Sequence, residues 1–340
     1  MTPLFLGLSG LALTDAERAF FRAVEPAGYI LFKRNVDTPQ QVRALTDDLR
    51  ALAGCDDLPI LIDQEGGRVA RLGPPNWQTF PPGRVFDRLY DIAPVSAIEA
   101  IRHNCAALGA MLAGLGITVD CLPVLDVPVP GAHDIIGDRA LGHEPMRVAA
   151  LGKASIQGLA RAGVVGVVKH IPGHGRAAAD SHVELPVVTA GADDLAVDLE
   201  PFTQLRDAPM AMTAHVVYTA WDGTQCASLS PIVIGDIIRG RIGFDGLLMS
   251  DDLGMHALKG SFAERAAGVL AAGCDIVLHC SGDMAEMEEV AGAVGPIAPR
   301  SAERLARAMA VVKAGQPVDL AQAVARRDAL LAPALQTGDA

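Results

Sequence analysis

Apolar residues along this chain fall into short, nearly unbroken runs, separated by longer stretches in which they recur at helical spacing. The runs at 4–8, 29–32, 60–63, 117–121, 165–170, 211–215, 247–250 and 275–279 predict eight strands. Helices are predicted at 15–24, 39–53, 97–115, 145–162, 193–206, 231–239, 262–272 and 284–294. Several have clear starts: Thr38-Pro39 and Ser230-Pro231 place proline where a first helical turn accepts it. Strands apolar on both faces and alternating with helices are parallel strands covered on their outer side. Eight such units predict an α/β protein built as a single-domain (β/α)₈ TIM barrel over residues 1–315, followed by a polar, Ala-rich helical tail at 316–340. An open doubly wound sheet is the alternative. The polar residues that end the strands favour the barrel. Asp63, Lys169-His170, His215, Asp251-Asp252 and His279 would converge on one mouth in a barrel but spread along an edge in an open sheet.

Composition narrows the possible partners. A formal net charge of −12 lacks the basic excess that binding a phosphate backbone requires, so nucleic acid is not an expected partner. The six cysteines form no CxxC pair and several lie in apolar runs, which points to reduced thiols and a reducing compartment. The first apolar run leads into Thr14-Asp15-Ala16-Glu17, a helix start rather than a cleavage site. Mean hydropathy is mildly positive, yet no apolar run approaches the ~18 residues needed to span a bilayer. The expectation is a soluble, cytoplasmic monomer.

One segment carries most of the candidate chemistry. Lys169-His170-Ile171-Pro172-Gly173-His174-Gly175, followed by Asp180-Ser181-His182, begins as an apolar strand and ends as a glycine-containing loop. Charges and imidazoles at that density are poor core material. In an extended chain Asp180 and His182 share a face about 6.5 Å apart, so the carboxylate can orient the ring and favour its protonated form. His182 is thereby a candidate general acid and then base. The glycines at 173 and 175 either shape a turn or let this loop move.

Asp251 follows the apolar run Leu247-Leu248-Met249-Ser250, which places a carboxylate at the mouth above low-dielectric walls, where it can attack an anomeric carbon. Asp252 is its rival, though a second acid at a strand-to-helix junction reads as a helix cap. Asp63 runs straight from its strand into Gln64-Glu65-Gly66-Gly67-Arg68-Val69-Ala70-Arg71, so it can accept bonds from two hydroxyls of a ligand while Arg68, Arg71 and Arg139 supply donors nearby. A structural ion pair of Glu65 with an arginine is the plainer reading of that turn. Lys169 and His170 are adjacent on a strand, where neighbours point to opposite faces, so both reach a ligand only if the strand twists or ends there; otherwise one of them is structural. His215 and His279 read as core histidines.

With DQEGGRV, KHIPGHG, DSH and SDDLGM in this order, the chain resembles glycoside hydrolase family 3, and more closely its single-domain bacterial β-N-acetylglucosaminidases of cell-wall recycling. The similarity runs from residue 4 to about residue 293. Two departures are small: Ile171 stands where phenylalanine is frequent, and Arg176-Ala177-Ala178-Ala179 fills the stretch before Asp180. The resemblance implies a barrel and retaining hydrolysis of a terminal, non-reducing N-acetylglucosamine, with a muropeptide-derived disaccharide as the substrate. It implies Asp251 as nucleophile, His182 with Asp180 as the acid–base dyad, and sugar contacts from Asp63, Arg71, Arg139, Lys169 and His170. No metal and no cofactor are implied. Three other readings compete: a phosphorylase in which phosphate replaces water, a zinc hydrolase on a barrel that lacks any HxH or HExxH pair, and a sugar-binding protein without catalysis.

Overall fold

A computed structural model describes residues 1–181 and 184–336. Its eight principal strands lie where the apolar runs place them: β1 Thr2–Leu6, β2 Pro26–Leu31, β3 Ile60–Ile62, β4 Val119–Asp120, β5 Val165–Ile171, β6 Met210–Thr213, β7 Leu247–Met249 and β8 Val277–His279. All pair in parallel in chain order. β8 returns to β1 through Leu4↔Val277, and β7 meets β8 through Met249↔Ile276, so the sheet closes on itself. Closure of first strand on last excludes the open doubly wound sheet.

Alternation along the strands builds two cores. Phe5, Ile30, Leu61, Val119, Val167, Met210 and Leu247 fill the barrel interior, whereas their neighbours Leu6, Leu31, Ile62, Val168, Ala211 and Leu248 pack outward beneath the helices. The helices are α1 Asp15–Val24, α2 Pro39–Ala53, α3 Gly83–Ile92, α4 Pro94–Gly114, α5 Pro145–Arg161, α6 Ala196–Gln204, α7 Phe262–Ala272, α8 Met284–Gly292, α9 Pro299–Ala314 and α10 Leu320–Gln336, with a π-helical segment at Val233–Ile242. Thr14 caps α1 in a reciprocal box with Glu17, and Ser261 does the same for α7 with Glu264.

Three features depart from the sequence reading. α3 and α9 were not among the expected helices; α9 sends Leu305, Ala308 and Met309 into the inner core, at the end of the barrel opposite its mouth. The helix expected at 231–239 is π-wound and shifted, in a segment containing Gly235 and Gly240. Small strands at Gln64–Gly66 with Val69–Ala70, and at Val187–Val188, Val217–Tyr218 and Asp222–Cys226, decorate the mouth. The last helix, α10, buries Ala323, Leu331 and Ala334, and its Arg327 donates to Asn104 of α4 at 3.2 Å. All six cysteines are free. Among the described residues no helix is long and apolar enough to cross a membrane.

Candidate active site

The floor of the barrel mouth is a run of alternating charges. Lys169 Nζ lies 3.0 Å from Asp63 Oδ1 and 2.6 Å from Glu65 Oε1. Arg71 donates to the other oxygen of Asp63 at 3.0 Å, and Arg139 grips Glu65 with two bonds of 2.8 Å each. Two carboxylates therefore face three cations in a buried place, where unpaired charge would be costly. Burial alone would raise Asp63, but Lys169 and Arg71 outweigh it and hold the group below the usual carboxylate range. Glu65 behaves alike: burial is overcome by Arg139 and Lys169, and it sits at about 2. Lys169 is held above its ordinary value because, against burial, Asp63 and Glu65 favour its charge. At neutral pH the floor is fully ionised. Beneath it Asp120 is different: burial pushes its carboxyl well up, with one oxygen accepting from the Gln64 N–H at 3.0 Å and the other without a partner among the described residues.

The turn that delivers Asp63 and Glu65 needs its glycines. Gly66 has φ +97°, and a Cβ there would sit 2.5 Å from the carbonyl oxygen of Pro81. Lys169 and His170 both line the same cleft, the alternative that the sequence allows only where the strand twists or ends. The register of β5 against β6 slips between Lys169 and Ile171, an irregularity of the kind that re-aims a side chain. A fully buried Asp126 then fixes His170. It accepts from the ring Nδ1 at 2.7 Å, from the His170 backbone N–H at 3.1 Å and from the His174 N–H at 2.6 Å. Burial would raise Asp126, but the His170 imidazole keeps it at about 2.

Above the floor, Asp251 leaves β7 and accepts the Asp252 N–H at 2.8 Å. Among the described residues it has no cationic partner. Asp252 is not a helix cap, because the next helix begins only at Phe262. One of its oxygens instead accepts from Gly254 at 3.1 Å and Cys280 at 2.9 Å, tying the loop to the end of β8. His215 and His279 are core residues: His215 bridges Ser228 Oγ at 2.8 Å and the Asp252 carbonyl at 3.0 Å, and His279 packs edge-on to Phe262.

These elements enclose a cleft of about 340 Å³, at the small end of ligand pockets. Asp63, Arg71, Arg139, Lys169, His170 and Asp251 all line it. Asp180 is half-buried and not among the lining residues, and His182 lies outside the described residues. Four residues that the sequence reading did not assign to the site belong to its surroundings: Glu65, Asp126, His174 and Ser181. An acid inside the apolar stretch Pro123-Val124-Leu125-Asp126-Val127 was a legible sign of a buried carboxylate. Among the described residues no group of three or more His, Cys, Asp or Glu side chains is arranged to hold a metal ion.

Residues 7–313 match the glycosyl hydrolase family 3 N-terminal domain. The chain is 40% identical over 315 residues to a β-hexosaminidase of Chromobacterium violaceum, covering 90% of this chain and 86% of that one. It is 37% identical over 325 residues to a β-hexosaminidase of Aromatoleum aromaticum, covering 94% and 90%. Its fold superimposes on NagZ from Neisseria gonorrhoeae in complex with N-trifluoroacetyl-D-glucosamine with a TM-score of 0.86 at 33% identity, covering 97% of this chain and 98% of that one.

Proposed function

Because this chain belongs to glycosyl hydrolase family 3, we propose that it is a retaining exo-β-N-acetylglucosaminidase that releases terminal N-acetylglucosamine through a glycosyl-Asp251 intermediate. One observation carries the reading. Asp63 and Glu65 are locked into ion pairs at the floor, whereas Asp251 faces the same cleft bonded, among the described residues, only to a backbone N–H. A paired carboxylate binds; an unpaired one beside a bound sugar can attack. The similarity to β-hexosaminidases and to a NagZ complex with an N-acylated glucosamine supports the N-acetylglucosamine half of the substrate.

In this mechanism the ionised Asp63 accepts from sugar hydroxyls while Lys169, Arg139 and His170 donate, and the ring is pinned with its anomeric carbon toward Asp251. His182, oriented by Asp180, protonates the departing oxygen and then deprotonates the water that releases the sugar from Asp251. The charge of an imidazolium donor also favours the ionised nucleophile. For the aglycone we propose the 1,6-anhydromuramic acid of peptidoglycan fragments, with or without its peptide, on the strength of the family resemblance.

Proton NMR of the first product formed tests the reading, run on aryl N-acetylglucosaminides with and without phosphate. Initial release of the β-anomer, with no dependence on phosphate, is expected. Initial α-anomer would exclude a retained configuration, and accumulation of sugar 1-phosphate would make the protein a phosphorylase. A preference for aryl glucosides or xylosides over the N-acetylglucosaminide would overturn the substrate.

A further inference from the structure

The loop that bears Asp180 and His182 is fixed for its first half. Pro172, Gly173, His174 and Gly175 are buried. A Cβ on Gly175 would lie 2.0 Å from the Val127 carbonyl oxygen, so this glycine serves a close backbone approach rather than motion. Tyr218 Oη donates to the Gly173 carbonyl at 2.7 Å, and the carbonyls of Gly175 and Ala177 accept from Val129 at 3.1 Å and His133 at 2.9 Å. Arg176 reaches Asp198 at 2.6 Å. Beyond Ala177 the chain turns toward the cleft, and Ser181 is buried again at its wall.

His174 bridges the two halves. Its backbone N–H is held by Asp126, the carboxylate that also fixes the ring of His170, and the two imidazoles meet edge to face at 5.7 Å between centroids. Its Nε2 lies 3.3 Å from Ser181 Oγ, while its buried Nδ1 has no partner among the described residues. Burial keeps this ring neutral, lowering it to about 4 despite Asp126, so one nitrogen is a donor and the other an acceptor at working pH. A contact of 3.3 Å is longer than a strong hydrogen bond, so it places the chain without locking it.

We infer that His174 is a positioning residue for proton transfer: its imidazole holds Ser181, the residue before His182, and so sets the acid–base dyad relative to the sugar bound by Lys169 and His170. The inference rests on the reading of His182 as the proton donor. Asp126 links the two functions, since one buried carboxylate orients the sugar-facing imidazole and seats the one that holds the loop.

The test compares an unactivated β-linked N-acetylglucosaminyl disaccharide with the 4-nitrophenyl glycoside, whose leaving group needs little protonation. His174→Leu and Ser181→Ala are each expected to lower kcat/KM on the disaccharide about 10- to 100-fold, a part of the roughly 100- to 10,000-fold that general acid catalysis contributes, and by less than about 3-fold on the aryl substrate. His174→Gln, whose amide can reach the position of Nε2, should recover most of the loss, and His174→Leu combined with Ser181→Ala should be no worse than the weaker single variant. Ser181→Ala and His174→Gln keep the test decisive where His174→Leu fails to fold. Equal losses on both substrates, or additive losses in the double variant, would overturn the inference. A parallel His182→Ala separates the two levels. Should it prove indifferent to leaving group, the reading of the dyad falls and the inference with it; should it be selective while Ser181→Ala is not, only the inference falls.

Discussion

Lys169, on the floor of the cleft, touches two carboxylates and is almost wholly buried, whereas Ser181, on the loop above it, has a 3.3 Å contact with one imidazole. Both segments begin from the same strand, β5, and are 12 residues apart. The floor is built from opposed charges whose partners come from β3, the hairpin after it and the loop before α5, so no single element can shift without exposing a buried charge. The loop up to Ala177 is built instead from packed glycines and backbone bonds, and among the described residues beyond it Glu184 donates to the Asp180 carbonyl at 3.0 Å. Opposed charges thus fix the proposed sugar-binding floor, whereas close backbone packing fixes the start of the loop.

Removing the proposed nucleophile should break this contrast most severely. Asp251→Ala is expected to cut turnover by about four orders of magnitude while leaving thermal unfolding and N-acetylglucosamine binding nearly unchanged, because no ion pair of the floor depends on it. Comparable activity in that variant would shift the nucleophile elsewhere. Next in size, Lys169→Met strands Asp63 and Glu65 against each other, which should cost about 3–5 kcal/mol in urea unfolding as well as sugar binding. A loss below about 1 kcal/mol would mean that the floor is not held by its charges.

The pH dependence sharpens the comparison. Glu65 and Asp126 both sit at about 2 in the folded chain, below their ordinary values of 4.5 and 3.8. Their contribution is complete above those ordinary values and is lost as pH falls from about 4.5 toward 2. Two groups, His174 on the loop and Asp198 of α6 beneath it, act in opposite senses at higher pH. His174, lowered to about 4, weakens the fold as pH falls from 6.5, while Asp198, raised by burial to about 6, strengthens it, as does the raised Asp120. Unfolding temperature should therefore vary little from pH 7 to 5 and drop steeply below about 4.5, and a fall complete by pH 5 would contradict the assignment of stability to the floor. The smallest effect should come from Arg68→Ala. Its pair with Asp138 is exposed on both sides, and a change within about 1 kcal/mol is expected.

Much of this molecule was legible before its structure. The eight strands followed from apolar runs of the right length, and helices such as α1, α2 and α7 from their caps and period, because local chemistry and tertiary packing agree there. Six of the eight proposed site residues line one cleft: Asp63, Lys169, His170 and Asp251 because strand ends in a closed barrel converge, and Arg71 and Arg139 from the loops beside them. What was not legible depends on contacts between distant segments. The place of Glu65 between Lys169 and Arg139 spans more than 70 residues of sequence, and the role of Asp126 follows from which backbone amides happen to face it. The common orientation of Lys169 and His170 broke the alternation rule at an irregularity that the residue types do not announce. Gly175 could have shaped a turn or let the loop move, and its use as a packing contact is shown only by the carbonyl of Val127. α9 shows the opposite case. Leu305, Ala308, Met309 and Val312 carried a helical period from the start, and only the inner core explains their use.

Mass spectrometry of the intact protein after exposure to a slowly turned-over fluorinated N-acetylglucosaminide addresses the central claim most directly. The account predicts an added mass equal to one fluorinated N-acetylglucosaminyl group, mapped by peptide digestion to Asp251 and missing in Asp251→Asn. An adduct on any other residue, or steady turnover of that substrate with no adduct under conditions that trap retaining enzymes, would contradict it.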